Sequence, residues 1–316
     1  MGGGAVRLSG KTDLSEVTLA TGTAYIGQLM GKHDSLVFAE KGWKFIRQTT
    51  PQPQSISDFA DWGEVVRLDG FDKDDLPFTY DSANHTVTLK EIDISNIDTK
   101  GDFAALAIAM SCTSGGALIN GNGSQDLYSS TINITNNINM SDTGIYSLTR
   151  DTDEAPTYSS ETAFKGTING NNHTITLNSG EPYGCRTDKN TPASGDGSGQ
   201  IYDHTFIGLL TLTQGTATIN DLTIDGNFKA EAIKKTVTIG GISAKTSGLT
   251  LNNVTVKSNI NIKVKQNSGD AVVGGFVGSA DGAQITAQGC KLGGGDEKTT
   301  LSITGNTGKA AQIGGF

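Results

Sequence analysis

The chain has 316 residues, a net charge of −9 and only 18% charged side chains. An acidic chain repels phosphate backbones, and the longest apolar run, residues 103–110, is far shorter than the roughly 20 residues that span a bilayer, so we expect neither nucleic-acid binding nor membrane insertion. Proline is rare, which argues against a disordered Pro/Gly tract, and Thr, Asn and Ser interleaved with Ile, Val and Leu are typical of strands.

The first third of the chain contains diverged copies of a pattern that is clearer downstream. The phrase "YIGQLMG" at residues 25–31 resembles a later "VVGGFVG", so residues 1–50 are predicted to be coils of an upstream β-solenoid module. The phrase "ANHTVTL" at residues 83–89 matches a later "NNHTITL". Its surroundings are shortened, and residues 51–98 are therefore predicted to be a compressed module or a connector.

An acidic stretch, "LDGFDKDDLPF", lies in this connector and offers the candidate calcium ligands Asp69, Asp72 and Asp74. Calcium takes several oxygen ligands from a short loop, but the stretch lacks the spacing and the closing Glu of an EF-hand. A solvated acidic turn is the alternative, and the sequence predicts no other cofactor.

A helix is predicted near residues 101–112, where "GDFAALAIAMSC" places Phe103, Leu106 and Met110 on one helical stripe with Asp102 near the start. A short amphipathic helix can cover the open end of a solenoid. Residues 99–316 are therefore predicted to be a β-helix module with an N-terminal capping helix, truncated mid-repeat and continued by further repeats at both ends.

The coils themselves are indicated by a repeat. Three apolar positions recur with a spacing of 32 residues: Ile207, Leu222 and Ile224 return as Ile239, Val254 and Val256. One copy is interpreted as three short strands, "TIGGIS", "LTLNNVTV" and "NINIKVK", with Gly-Gly at a tight corner. The fold predicted is an all-β parallel β-helix, and a β-sandwich is the alternative.

Two long polar inserts, at residues 141–162 and 179–203, interrupt the coils. Long loops on a rigid scaffold often carry binding sites, and Tyr combines an apolar face with a polar tip. The alternative is that these loops only cover the side of the solenoid. The candidate binding residues are Tyr146, Tyr158, Tyr183, Arg186 and Tyr202.

No catalytic residue is predicted, and the fragment is expected not to be an enzyme. His173 aligns with the inward Leu222, and Cys290 aligns with Val254, so both are interpreted as structural. Polysaccharide lyases and hydrolases on β-helices need acidic side chains converging on one face, and no Asp or Glu recurs at a fixed coil position.

The phrases "DFAALA", "STINITNNINM", "AFKGTINGNNHTITL" and "LTLNNVTV" together resemble the GLUG-motif β-helix modules of large bacterial surface proteins. The resemblance, together with general βxβ chirality, implies a right-handed helix. It also implies extracellular display, at the bacterial cell surface or after secretion. The expected function is a non-catalytic display stalk and adhesin that binds glycans or host proteins through loops. An accessory region of a secreted peptidase or polysaccharide-active enzyme is the alternative.

Overall fold

The structure is a computed structural model, and it describes part of the chain. The described residues are 12–13, 18–19, 23–26, 43–46, 54–55, 66–68, 71–72, 74–81, 86–111, 126–143, 147–149, 163–179, 185–186, 206–232, 236–264, 270–280, 282, 284–294, 299–305 and 310–315.

The strands near the N-terminus pair antiparallel. They are β1 (Thr12–Asp13), β2 (Thr18–Leu19), β3 (Thr23–Ile26), β4 (Trp43–Ile46), β5 (Gln54–Ser55), β6 (Val66–Leu68), β7 (Phe78–Asp81) and β8 (Thr86–Leu89). The pairs are β1 with β8, β2 with β5, β3 with β4, β4 with β6, and β7 with β8. This pairing differs from the parallel coils expected for residues 1–50, whereas the division of the chain near residues 50 and 98 stays a prediction.

From residue 131 onward every described ladder is parallel. The strands are β9 (Thr131–Asn133), β10 (Ile138–Asn139), β11 (Thr167–Ser179), β12 (Cys185–Arg186), β13 (Phe206–Ile207), β14 (Leu210–Thr213), β15 (Thr218–Ala232), β16 (Val237–Gly240), β17 (Ser243–Thr246), β18 (Leu249–Asn252), β19 (Thr255–Val256), β20 (Asn259–Val264), β21 (Ala271–Gly274), β22 (Val277–Ala280), β23 (Ile285–Gln288), β24 (Lys291–Leu292), β25 (Leu301–Gly305) and β26 (Ala311–Gly314). The predicted all-β parallel β-helix is confirmed.

Three parallel sheets line the solenoid. The first is β13–β16–β21–β26, the second is β14–β17–β22, and the third contains β9 to β12, β15, β18 to β20 and β23 to β25. Residues 206–232, 237–264 and 271–305 each pass through all three sheets, and we call them coils 1, 2 and 3. Residues 131–139 and 163–186 are partial coils that extend the third sheet before coil 1.

Each coil contributes strands to three sheets, as the three predicted strands suggest, but the boundaries of the strands differ from the prediction. "TIGGIS" does not form one strand, because it turns at Gly240–Gly241 from β16 in the first sheet to β17 in the second. The other two predicted strands both belong to the third sheet. The predicted reason for Gly-Gly is confirmed, since a Cβ on Gly241 would lie 2.5 Å from the carbonyl oxygen of Gly275 in the next coil.

The core is a stack of aliphatic side chains inside the coils. Ile168, Ile219 and Leu251 occupy one register position in successive coils, and all three are fully buried. Full burial of such a side chain contributes about 1.5–3 kcal/mol, so each added coil stabilises its neighbours. The outward positions on either side hold Thr and Asn.

The predicted capping helix is α1 (Lys100–Ser111). Thr99 is its N-cap: the Thr99 hydroxyl accepts the N–H of Asp102 at 3.1 Å and donates to the Asp102 carboxylate at 2.9 Å. The prediction of an amphipathic helix is wrong, because Ala104 and Ala105 are buried together with the expected stripe.

The helix is enclosed on more than one side. Gly101 approaches the backbone of Leu76, and Tyr128 donates to the carbonyl of Met110 at 2.6 Å. The helix also packs against β10, the first strand along the third sheet. Among the described residues, no helix has the length and apolar character needed to cross a membrane.

Candidate binding surface

The tyrosines predicted to bind a ligand, Tyr146, Tyr158, Tyr183 and Tyr202, lie outside the described residues. For Arg186 the backbone is described. Together with Cys185 it forms β12, which pairs in parallel register with Ala230 and Glu231 of coil 1. The role of these five residues as a binding site stays a prediction.

The chain on both sides of the two inserts is fixed to the solenoid. Inside the first insert, the N–H of Leu148 donates to the carbonyl of Leu209 at 2.8 Å, and after the insert the N–H of Phe164 donates to the carbonyl of Leu212 at 2.9 Å. The second insert contains β12, which pairs with β15, and it is followed by β13, which pairs with β16. Each insert is therefore attached to the next coil at a point inside it and again at the residues that follow it.

Two of the calcium candidates, Asp72 and Asp74, are exposed, and Asp69 lies outside the described residues. The carbonyl of Asp72 accepts the N–H of Asp75 at 3.1 Å, which closes a turn. In the part of the chain that the structure describes, no three His, Cys, Asp or Glu side chains are grouped so that they could hold a metal ion.

A cluster of charged side chains surrounds the start of α1. The Lys90 ammonium lies 2.5 Å from Oδ1 of Asp102 and 3.8 Å from Oδ1 of Asp75. Asp75 in turn accepts the N–H of Gly101 at 3.1 Å. The cluster therefore ties the segment before the solenoid to the first turn of the helix.

Asp102 also forms a hydrogen bond with the carboxyl group of Asp98. The pKa values of these two groups are shifted in opposite directions. The hydrogen bond with Asp102, aided by burial and by the charge of Asp102, raises the pKa of Asp98. Burial acts to raise the pKa of Asp102, but the hydrogen bonds from Lys90, Asp98 and Thr99 and the charge of Lys90 outweigh it and lower that pKa. The pair therefore favours the protonated form of Asp98 over that of Asp102.

A regular polar surface, which the sequence analysis missed, lies on the outside of the third sheet. Four of its strands carry Thr and then, two positions on, Asn, with a buried aliphatic residue between them, and β23 carries Thr286 and Gln288 with the exposed Ala287 between them. We call it the Thr–Asn face. It consists of Thr131, Thr167, Thr218, Thr250 and Thr286 in one row and of Asn133, Asn169, Asn220, Asn252 and Gln288 in the next.

The asparagines of this face form a ladder along the solenoid axis. The side-chain amide of Asn169 donates to Oδ1 of Asn133 at 2.8 Å, Asn220 donates to Asn169 at 2.9 Å, and Asn252 donates to Asn220 at 2.8 Å. The signal was available in the sequence, since "TIN" begins at Thr131, Thr167 and Thr218 and "TLN" begins at Thr250. Taken by itself, this pattern indicates only strand composition.

The structure confirms the predicted alignments of the histidine and cysteine candidates. His173 pairs with the buried Leu222 and is itself half-buried. Cys290 precedes Lys291, the partner of Thr255, and therefore aligns with Val254; it is a free cysteine that packs against the core. Its thiol lies 3.5 Å from the carbonyl oxygen of Leu251.

No family model, no curated protein and no solved structure matches this chain. The GLUG resemblance therefore stays a prediction from the sequence, and the fold rests on the ladders described above.

Proposed function

We propose that this chain is a non-catalytic display module of a bacterial cell-surface or secreted protein, and that its inserts bind glycans or host proteins. The solenoid supplies a stiff scaffold, because its core continues without interruption through coils 1 to 3. The inserts supply the recognition elements.

The observation that carries this proposal is the fixation of the insert ends. Cys185, inside the second insert, pairs in parallel with Ala230, and Phe206, after this insert, pairs in parallel with Thr238. The Thr149 hydroxyl, inside the first insert, also donates to that of Thr211 at 3.1 Å in the buried interior. The parts that lie between these attachment points, residues 150–162 and 187–204, are therefore loops with fixed ends. Loops whose ends are fixed lose less conformational entropy on binding, which favours recognition by loops.

The test compares loop replacements in the full chain. Replacing residues 187–204 with a short Gly/Ser linker, and separately residues 150–162, is expected to abolish binding on an array of glycans and host proteins. The matched control replaces residues 265–269, which connect coil 2 to coil 3 at the corner where the second insert connects to coil 1. The thermal transition of all three variants is expected to stay close to that of the parent.

Two point variants test whether individual tyrosines of the inserts contact the ligand. Tyr158→Ala and Tyr202→Ala are each expected to weaken binding at least fivefold if the tyrosines contact the ligand. Binding that survives both loop replacements would show that the inserts only cover the solenoid.

A further inference from the structure

The Thr–Asn face has hydrogen-bonding capacity that the protein itself does not use. Among the described residues, the hydroxyls of Thr167 and Thr250 form no hydrogen bond with the protein, and both side chains are partly exposed. Thr218, between them, donates to the carbonyl of Thr216 at 3.0 Å and keeps its acceptor lone pairs. The row therefore presents hydroxyl groups to solvent at the separation of adjacent strands, about 4.8 Å.

The Asn ladder holds the second row in a single orientation. Each amide has two N–H donors and an oxygen with two lone pairs, and the ladder uses one donor and one lone pair of Asn169 and of Asn220. The remaining donor and lone pair stay available. Because the ladder already fixes the side-chain rotamers, a ligand would bind these amides without ordering them.

The face is uncharged along its whole length, although the chain has a net charge of −9. Charged outward side chains lie farther along the chain of the same coils: Asp225 and Lys229 belong to the later part of β15, and Lys257 follows β19. A surface of hydroxyls and amides without charge does not select an anionic or cationic ligand. It fits a neutral ligand that both donates and accepts hydrogen bonds, and sugar hydroxyls do both.

The repetition of the face indicates the size of the ligand. One exposed hydroxyl and one exposed amide contribute little to affinity, because each replaces hydrogen bonds to water. The same pair recurs in β9, β11, β15 and β18, so a polymer with repeated hydroxyls engages several pairs at once. A monosaccharide does not gain this advantage.

We propose that the Thr–Asn face is a binding site for neutral, extended polysaccharides that lie along the solenoid axis, across the strands. None of the residues of this face belongs to the inserts, and the proposal does not depend on binding by them. It adds a ligand class, uncharged extended glycan chains, to the proposed function.

The experiment measures binding of the full chain to cellohexaose and chitohexaose by calorimetry, and to insoluble cellulose and chitin by sedimentation. Cellobiose tests the dependence on length, and alginate tests the preference for neutral chains. We expect the hexasaccharide to bind at least tenfold more tightly than the disaccharide. Alginate is expected to bind no more tightly than cellobiose.

The decisive variant replaces Thr167, Thr218 and Thr250 with Val, which keeps the branched shape and favours strands while removing the hydroxyls. A loss of at least fivefold in affinity is expected. The matched control replaces Thr174, Thr223 and Thr255 with Val; these residues form an equivalent row on the strand segment after the turn. The corresponding Thr→Ser triple variant of the decisive row keeps the hydroxyls and is expected to retain binding.

Several outcomes overturn the assignment: no binding to any neutral polysaccharide, tighter binding to alginate, or equal losses in the decisive and control Val variants. Replacing residues 187–204 separates the two proposals. That replacement is expected to leave binding to the face unchanged, so failure of loop-mediated binding does not remove this site, and the reverse also holds.

Discussion

Coils 2 and 3 have the same register but bury their inward side chains to different extents. Val256 in coil 2 is fully buried, whereas Leu292, its partner in coil 3, is 40% exposed. Leu251 is likewise fully buried, and its partner Ala287 is exposed. Coil 2 lies between coils 1 and 3, whereas beyond coil 3 the structure describes only β26.

The contrast shows that an inward position is not by itself a buried position. In a solenoid a side chain is buried by its equivalents in the coils before and after it. The stability of a residue in this chain therefore depends on its coil as much as on its place within the coil.

The largest expected difference in stability between the two coils comes from a pair of core truncations. Leu251→Ala removes a fully buried side chain and is expected to lower the free energy of unfolding by about 2–5 kcal/mol, because it leaves a cavity between coils. Leu292→Ala removes a side chain that is partly in water and is expected to cost less than about 1 kcal/mol. Urea unfolding followed by circular dichroism measures both, and equal losses would contradict the role of stacking.

The Gly-Gly corner provides a second pair. A Cβ on Gly241 would lie 2.5 Å from a carbonyl oxygen of coil 3, whereas a Cβ on Gly315, at the equivalent corner after β26, would meet only Leu292 at 3.9 Å. We expect Gly241→Ala to destabilise the protein by about 1–3 kcal/mol and Gly315→Ala to change stability by less than about 0.5 kcal/mol. Thermal unfolding of the two variants, measured side by side, tests this prediction. A tolerated Gly241→Ala would show that the coils can move apart at this corner.

The helical end gives a third contrast, which depends on pH. Asp102→Asn weakens the capping hydrogen bonds and the contact with Lys90, so it is expected to cost about 1 kcal/mol at pH 7. The lowered pKa of Asp102 means that its stabilisation is present above the unfolded-state pKa, about 3.9, and is lost as the pH falls through the folded-state pKa. The difference between parent and variant is therefore expected to shrink between pH 5 and pH 2, about the range in which such a carboxylate becomes protonated.

Asp98→Asn is the control for this effect. The raised pKa of Asp98 has the opposite sign, since its contribution to stability is lost as the pH rises. We expect this variant to be as stable as the parent or more stable at pH 7, because it removes a carboxylate that faces Asp102. A marked loss at neutral pH would contradict the unfavourable interaction between the two carboxylates that raises the pKa of Asp98.

The smallest expected effect concerns the Asn ladder. Asn220→Ala removes two ladder hydrogen bonds from the middle of the row, and Asn133→Ala removes one from its end. Because these groups are partly exposed, we expect losses of about 1 kcal/mol and about 0.5 kcal/mol, respectively. Chemical denaturation of both variants would reveal a structural role for the ladder, and identical values would argue against its cooperation along the row.

The coils could be predicted because stacking imposes a period on the sequence. The spacing that relates Leu222 to Val254 in the sequence is the spacing that pairs β15 with β19 in the structure. The turn inside "TIGGIS" could not be located in this way, because an apolar run on one strand and an apolar run folded over a corner have the same composition. Only the close approach of Gly241 to the next coil distinguishes them.

The surroundings of α1 and of the Thr–Asn face show two further limits. Ala104 and Ala105 are buried, and Gly101 lies against the backbone of Leu76, a long-range contact that no local pattern indicates. The recurrence of Asn169 and Asn220 was visible, but their mutual hydrogen bond depends on the parallel register, which exists only after folding. The insert residues show no repeat in the sequence, so their positions in the fold could not be predicted from the spacing of the coils.

The register between β11 and β15 has a consequence for evolution and for protein engineering. Asn169 and Asn220 are 51 positions apart, whereas Asn220 and Asn252 are 32 apart, yet both pairs occupy adjacent rungs of one ladder. The solenoid therefore accepts added chain between coils without a change in alignment. Foreign peptides grafted in place of residues 187–204 would inherit this tolerance, and the scaffold could acquire new specificities one loop at a time.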